Sequence, residues 1–323
     1  MNAVQSNTAS RFAPAAVKST QHLKSFLDRV QSRWHSPEFL NSDPLQFVWQ
    51  YNDPWDQEAV ALISAVLAYG NVLQIRKSIQ DVLDRMHLVA RSPSEFVRGL
   101  KQQAFSKMAL AAFEGWFHRF NVGQDVVLLF QLLGQTWQQS GSLGGFFLEE
   151  SSQSTDSIEN ALNRLMSDWE QKAAGKGLPS FYYFLTPPSR GSVCKRWCMF
   201  LRWMGRRDLL DPGLWTEGGA MTPHFRHSNA LSPRQLVIPL DTHTGQICQY
   251  IGLTKRKSLN WKAALEITAK LKECSPEDPV RYDFSMARLG ILNLCQKKYR
   301  REVCGACELF QVCCLAQVGN RRQ

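Results

Sequence analysis

The sequence predicts an all-α protein, and three observations predict it. Apolar residues recur at the 3.6-residue period of a helix along most of the chain, and no stretch alternates apolar and polar residues as a strand would. The last periodic stretch then runs straight into a group of cysteines. The 323 residues, 44% of them apolar and 11% aromatic, suffice for a large core in one or two domains. With 20% charged residues and no long polar block, disordered and collagen-like chains are excluded.

Residues 1–21 contain no acid and show no period, so they read as a loose tail, although a transit peptide has the same composition. His22 to Trp49 reads as helical, and Asn52-Asp53-Pro54 punctuates it, with Asp56 or a neighbour capping the next helix. Ala59, Leu62, Ile63, Val66 and Leu67 form one stripe; Ile75, Ile79, Val82 and Leu83 resume it after a turn at Gly70-Asn71. Helices are expected over 93–120, 125–140 and 156–173, with joints at Ser140-Gly141-Ser142 and Gly144-Gly145. Pro212 to Pro233 reads as a long loop. Beyond Asp241 two further stripes follow: Trp261, Ala264, Leu265, Thr268 and Leu271, then Val280, Phe284, Ala287, Ile291 and Leu294.

Thirty-eight Lys and Arg against 28 Asp and Glu leave a formal charge of +10, which directs attention to a polyanionic partner, nucleic acid first. The most apolar stretch, Ala59 to Tyr69, is too short for a bilayer. The expectation is a soluble, cytoplasmic monomer with no membrane partner, organellar targeting being left open.

Five of the nine cysteines fall in the last 29 residues, a crowding that a reduced, thiolate-bound metal explains better than a secreted disulfide framework. Cys295, Cys304, Cys307 and Cys313 follow C-x8-C-x2-C-x5-C, four soft ligands for one centre. One short knuckle flanked by single cysteines is more typical of a [4Fe-4S] cluster, and tetrahedral zinc is the alternative. Between the first two thiols stand Lys297, Lys298, Arg300 and Arg301, a basic loop tethered at both ends and suited to phosphate contacts.

Upstream, Gly191-Ser192 precedes a helix whose apolar stripe is Cys194, Trp197, Cys198, Leu201 and Met204. Arg202 and Arg206 fall within about 20° of Lys195 around that helix, which predicts a basic, nucleic-acid-facing side. Neighbouring cations and partial burial would lower the pKa of the Lys195 amine, as a nucleophilic lysine requires. Asp241, in Pro239-Leu240-Asp241-Thr242-His243, stands where an N-cap is expected; a carboxylate there could also stabilise a sugar cation or relay a proton.

Taken together these segments resemble the helix-hairpin-helix superfamily of base-excision DNA glycosylases, the endonuclease III group in particular. Cys304-Gly305-Ala306-Cys307 through Cys313 is similar to that group's cluster ending, Leu240-Asp241-Thr242-His243 to the segment of its catalytic aspartate, and Lys195 occupies the place of its Schiff-base lysine. "LISAVLAYGN", Leu62 to Asn71, is similar to the helix and turn that wedge into the duplex, which the resemblance assigns to Asn71 and Tyr69. Within the superfamily the chain is most similar to a bacterial group of hypothetical proteins, on "SVCKRWCMFLRWM", "PLDTHTGQI" and "PEDPVRYDF".

The resemblance implies two helical lobes, one of residues 52–238 and one joining 22–51 to 239–323 and carrying the cluster, with the active cleft between them. It implies a glycosylase and AP lyase acting on damaged or abasic double-stranded DNA, Lys195 as nucleophile and Asp241 as its partner. Departures are visible. Only one glycine, Gly191, precedes Lys195 where the family has two, so Arg190 and Ser192 are expected to complete the phosphate nest, or the nest is lost. Lys195 and Asp241 are 46 positions apart, further than in the family, and the first cysteine gap is longer. A non-catalytic iron-sulfur protein that binds nucleic acid on the same scaffold, or an RNA-processing factor, are the readings such departures would favour.

Overall fold

A computed structural model describes residues 19–149, 158–226 and 229–320. Among them the chain is mostly helical. Of the expected tail, residues 1–18 lie outside the described residues, and α1 (Thr20–Trp34) starts at once, its first turn capped by the Ser19 hydroxyl accepting from the His22 N–H. The predicted helix over 22–49 stops at Trp34 because Pro37 and Pro44 cannot continue it, and two tight 3-10 turns, Pro37–Ser42 and Pro44–Gln50, take its place.

α2 (Pro54–Val66) is the centre of the molecule, buried from Asp56 to Val66 on every side. A helix apolar nearly all round belongs in a core. Asp53 caps it, accepting from Trp55 and Asp56 N–H, while Asp56 reaches across to the Ser94 N–H at 2.7 Å. Then come α3 (Val72–His87), α4 (Pro93–Gly99) and α5 (Gln103–Ala112). The helix expected over 93–120 is therefore two helices and a hairpin: β1 (Phe117–His118) and β2 (Asn121–Val122) pair antiparallel, too short to show an alternating pattern.

α6 (Gly123–Ser140), α7 (Leu143–Leu148), α8 (Ile158–Ala173) and α9 (Lys195–Gly205) complete the larger part of the core. The long loop after α9 is not a loose excursion. Trp215, Met221 and Leu231 are buried, and the Gly213 and Trp215 amides bond back to the carbonyls of Trp203 and Met204 on α9. Glu58 of α2 ties this region together: its fully buried carboxylate accepts from Trp137 Nε1 at 2.6 Å, Trp215 Nε1 at 2.8 Å and the amides of Leu143 and Gly144. Burial pushes its pKa up even against those four donors.

The chain closes with α10 (Thr242–Tyr250), α11 (Trp261–Cys274), α12 (Asp283–Ile291), α13 (Arg301–Cys304) and α14 (Cys314–Asn320). α1 packs on α11 and α12, α10 packs on α12, and α9 packs on α2. No helix among the described residues is long and apolar enough to cross a membrane.

Candidate active site

Where α9, α10, α12 and the turns before α2 and α3 approach one another, they enclose a cavity of about 620 Å³, the size range of small-molecule sites. Lys195 and Asp241 both line it. Lys195 is the first residue of α9, and its Nζ donates to the Ala68 carbonyl at 3.4 Å. Its neighbour Arg196 is buried, donates to the carbonyls of Val66 and Tyr183, and lies over the Tyr69 and Tyr183 rings, which fixes the start of the helix. Burial lowers the Lys195 pKa, and it prevails although the carboxylates of Asp241, Asp43 and Asp283 pull the other way.

The turn into α9 is unusual. Gly191 is left-handed at φ 77, and so is Cys194 at φ 52, a conformation that costs a non-glycine residue about 1–2 kcal/mol. The Cys194 thiol bonds to the Thr186 carbonyl and its amide to the Ser192 hydroxyl, which offsets that cost. Cys194 thus turns the chain where a second glycine is missing. Ser192 serves this turn, and Arg190, itself exposed, donates to both Glu170 oxygens at 2.7 Å.

Asp241 is the N-cap of α10: Oδ1 accepts from the Thr244 N–H at 2.7 Å, leaving Oδ2 without a hydrogen bond among the described residues. Capping and facing the cavity are both true of it. His243 also lines the cavity, its ring seated against Gly290, where any Cβ would collide at 2.5 Å.

The basic face expected of α9 is corrected by the structure. Arg202 is buried and paired with Asp283 at 2.6 Å and Asp211 at 3.1 Å. Arg206 is buried against Asp208, Asp211 and Asp278 at 2.7–2.8 Å. Cations inside a protein are retained when carboxylates converge on them, and that is what these two meet in place of phosphate. The face that carries Lys195 points inward to the cavity, and Arg202 forms part of its floor.

Asn71 does sit at the rim, exposed, as the N-cap of α3. Tyr69 does not line the cavity. Its hydroxyl donates to Asn121 Oδ1 at 2.6 Å, its ring packs on His118 and Tyr183, and it anchors the hairpin. Sequence reasoning missed that hairpin. Phe117 and Phe120, 70% and 57% exposed, project from it, and Arg119 at its tip is left-handed and lies 3.1 Å from where a Gly70 side chain would begin. Asn121, bonded to Asp125 and to the Ser180 carbonyl, and His118, bonded to Ser78, hold it rigidly. The floor was missed too: Asp43, Asp283, Phe284 and Arg288 are all buried, Arg288 pairing with Asp43 and lying 4.1 Å above the Phe284 ring. The available signal was a charged residue, Asp283 or Arg288, inside an apolar helical stripe.

At the C-terminus Cys295, Cys304, Cys307 and Cys313 are half-buried and free. They are electrostatic neighbours: burial pushes the Cys307 and Cys313 thiols up to about 11, with Cys295 contributing to both and Cys304 to Cys307. Backbone N–H groups are directed at the sulfurs, Arg300 to Cys304 at 3.4 Å, Leu309 to Cys307, and Leu315 and Ala316 to Cys313. Such donors suit thiolates. Among the described residues no three His, Cys, Asp or Glu side chains are grouped as a single bound ion would require. Lys298, Arg300 and Arg301 are exposed and Lys297 half-exposed; none of the four has an ion-pair partner among the described residues.

The fold and site define a helical protein built around an internal cavity that presents one amine to three carboxyl groups. The chain belongs to the family described as "Protein of unknown function (DUF2400)", whose model matches residues 43–292. The matched span includes the whole lining of the cavity apart from Ser42 and ends before Cys295. No curated protein and no solved structure matches the chain.

Proposed function

We propose that this protein is a base-excision DNA glycosylase with AP lyase activity on a helix-hairpin-helix scaffold. The observation that carries the reading is the meeting of Lys195 and Asp241, 46 positions apart in the chain, on one cavity large enough for a nucleoside. A damaged nucleotide swings out of the duplex into that cavity. Lys195, held toward its free-base form by burial, attacks the sugar C1′, and Asp241 faces the developing oxocarbenium charge with its unbonded Oδ2. β-Elimination from the resulting Schiff base then nicks the strand.

The surroundings fit DNA. Exposed Phe117 and Phe120 stand on a rigid hairpin beside the rim at Gly70 and Asn71, where a ring can fill the gap left by an extruded base. Cys295, Cys304, Cys307 and Cys313 would hold a [4Fe-4S] cluster, which serves as a structural tether for the basic loop. The preference for a cubane over zinc rests on the spacing C-x8-C-x2-C-x5-C, one short knuckle flanked by single cysteines.

The test is borohydride trapping on duplexes carrying an abasic site or one of a panel of oxidised, deaminated and alkylated bases. A covalent adduct that disappears in Lys195→Ala is expected. No adduct with any duplex, or one that persists in the variant, overturns the enzyme and leaves a nucleic-acid-binding protein on the same scaffold. RNA outcompeting DNA at fixed salt would point to RNA processing instead.

A further inference from the structure

Resting on the excision reading, we propose that Asp283 is a second catalytic carboxyl group, the acid that protonates the departing base. Depth orders the cavity. Gly70, Asn71 and Leu292 are exposed at its mouth, Lys195 and Asp241 are half-buried, and Arg202, Asp283, Phe284 and Arg288 are buried at its floor. A nucleotide entering base first places its sugar level with Lys195 and Asp241 and its base against the floor.

Three carboxyl groups act on Lys195, and their free oxygens differ. Asp43 is occupied at both, by the Leu45 N–H and by Arg288. Asp241 keeps Oδ2, at the level of the sugar. Asp283 gives Oδ2 to Arg202 at 2.6 Å and keeps Oδ1, which has no hydrogen bond among the described residues. Oδ1 is also absent from the buried polar atoms that lack a partner, so it retains access to the cavity.

The groups around Asp283 are Lys195, Cys198 and Arg202 on α9, Asp241 and Cys248 on α10, and the Asp43–Arg288 pair; α1 contributes Asp28, bonded to the adjacent Tyr282. Burial raises the Asp283 pKa to about 6, with Arg202 opposing and Asp241 adding to the rise. A carboxyl group that keeps its proton to higher pH is suited to acid work. In the step, the Nζ lone pair bonds to C1′ as the C1′–N bond breaks; that electron pair leaves with the base, which takes the proton from Asp283. The proton shed by Nζ passes to Asp241, and solvent returns both carboxyl groups to their starting forms.

The test compares two reactions in wild type, Asp283→Asn and Asp283→Glu: base release from the panel duplexes, and borohydride trapping on a duplex with a preformed abasic site, where no base has to leave. Asp283→Asn is expected to slow release by about 100-fold or more while trapping stays within about threefold. Wild-type release declines as pH rises above about 6, because the acid is then ionised, and the Asn variant lacks that decline. Release at the wild-type rate, or equal loss of release and trapping, overturns the assignment while Lys195 trapping by wild type upholds the excision reading. If wild type neither releases nor traps, both fall together. Should the Asn variant not fold, Asp283→Glu must show the same decline at a displaced pH, and an undisplaced profile overturns the assignment.

Discussion

Two basic segments of this protein look alike on paper and do opposite things. Lys195 and Arg202 lie on α9 with Arg206 at its C-cap, and Lys297, Lys298, Arg300 and Arg301 share one short loop. The two arginines are buried and ion-paired with Asp208, Asp211, Asp278 and Asp283, while the loop cations have no acidic partner among the described residues. What separates them is where the carboxylates of other segments arrive. A charge count places all 38 cations on the same footing, and only the packed chain shows which remain available to a polyanion.

The sharpest way to break that contrast is Arg202→Met. It leaves Asp283 in the interior without its ion-pair partner and Asp211 with Arg206 alone, and is expected to cost about 3–5 kcal/mol, read from the denaturant midpoint at unchanged slope. A loss no larger than that of a surface substitution would dissolve the distinction. Next comes the metal. Protein purified without air should be brown, with a broad band near about 400 nm, and removing the iron should weaken duplex binding while α9 and the cavity stay folded. A colourless, zinc-loaded preparation would correct the proposed cluster. The smallest effect on folding belongs to the loop: changing Lys297, Lys298, Arg300 and Arg301 together to Gln should move stability by less than about 0.5 kcal/mol per site. The same variant should flatten the salt dependence of duplex binding by up to about 0.9 per lost phosphate contact. An unchanged slope places the phosphate contacts elsewhere.

Much of the fold was legible because its signals are local. The stripe Ala59–Leu67, the turn at Gly70-Asn71 and the cap at Asp241 each depend on a few neighbouring residues, and the structure has a helix, a turn and a cap at those places. Proline explains one miss, since Pro37 and Pro44 divide what apolar spacing alone joins. The hairpin was illegible for a different reason: two residues per strand carry no period, and its exposed rings resemble a helix face. In the candidate site Lys195 and Asp241 were found through resemblance. Asp43, Asp283 and Arg288 were not, because a charged residue on an apolar stripe reads as a flaw until its partner, 245 positions away for Arg288 and 81 for Asp283, is seen beside it.

The buried Glu58 carboxylate gives the long insertion after α9 a duty that its irregular backbone conceals. One of its four donors is Trp215, supplied by that insertion, and two others come from the start of α7. Trimming the segment to a minimal linker would therefore leave a buried carboxyl group in the centre of the molecule short of a donor and strip cover from α7. Shortened relatives of this chain would have to replace Glu58 with a neutral residue at the same time, so the length of the insertion and the identity of position 58 should change together or not at all.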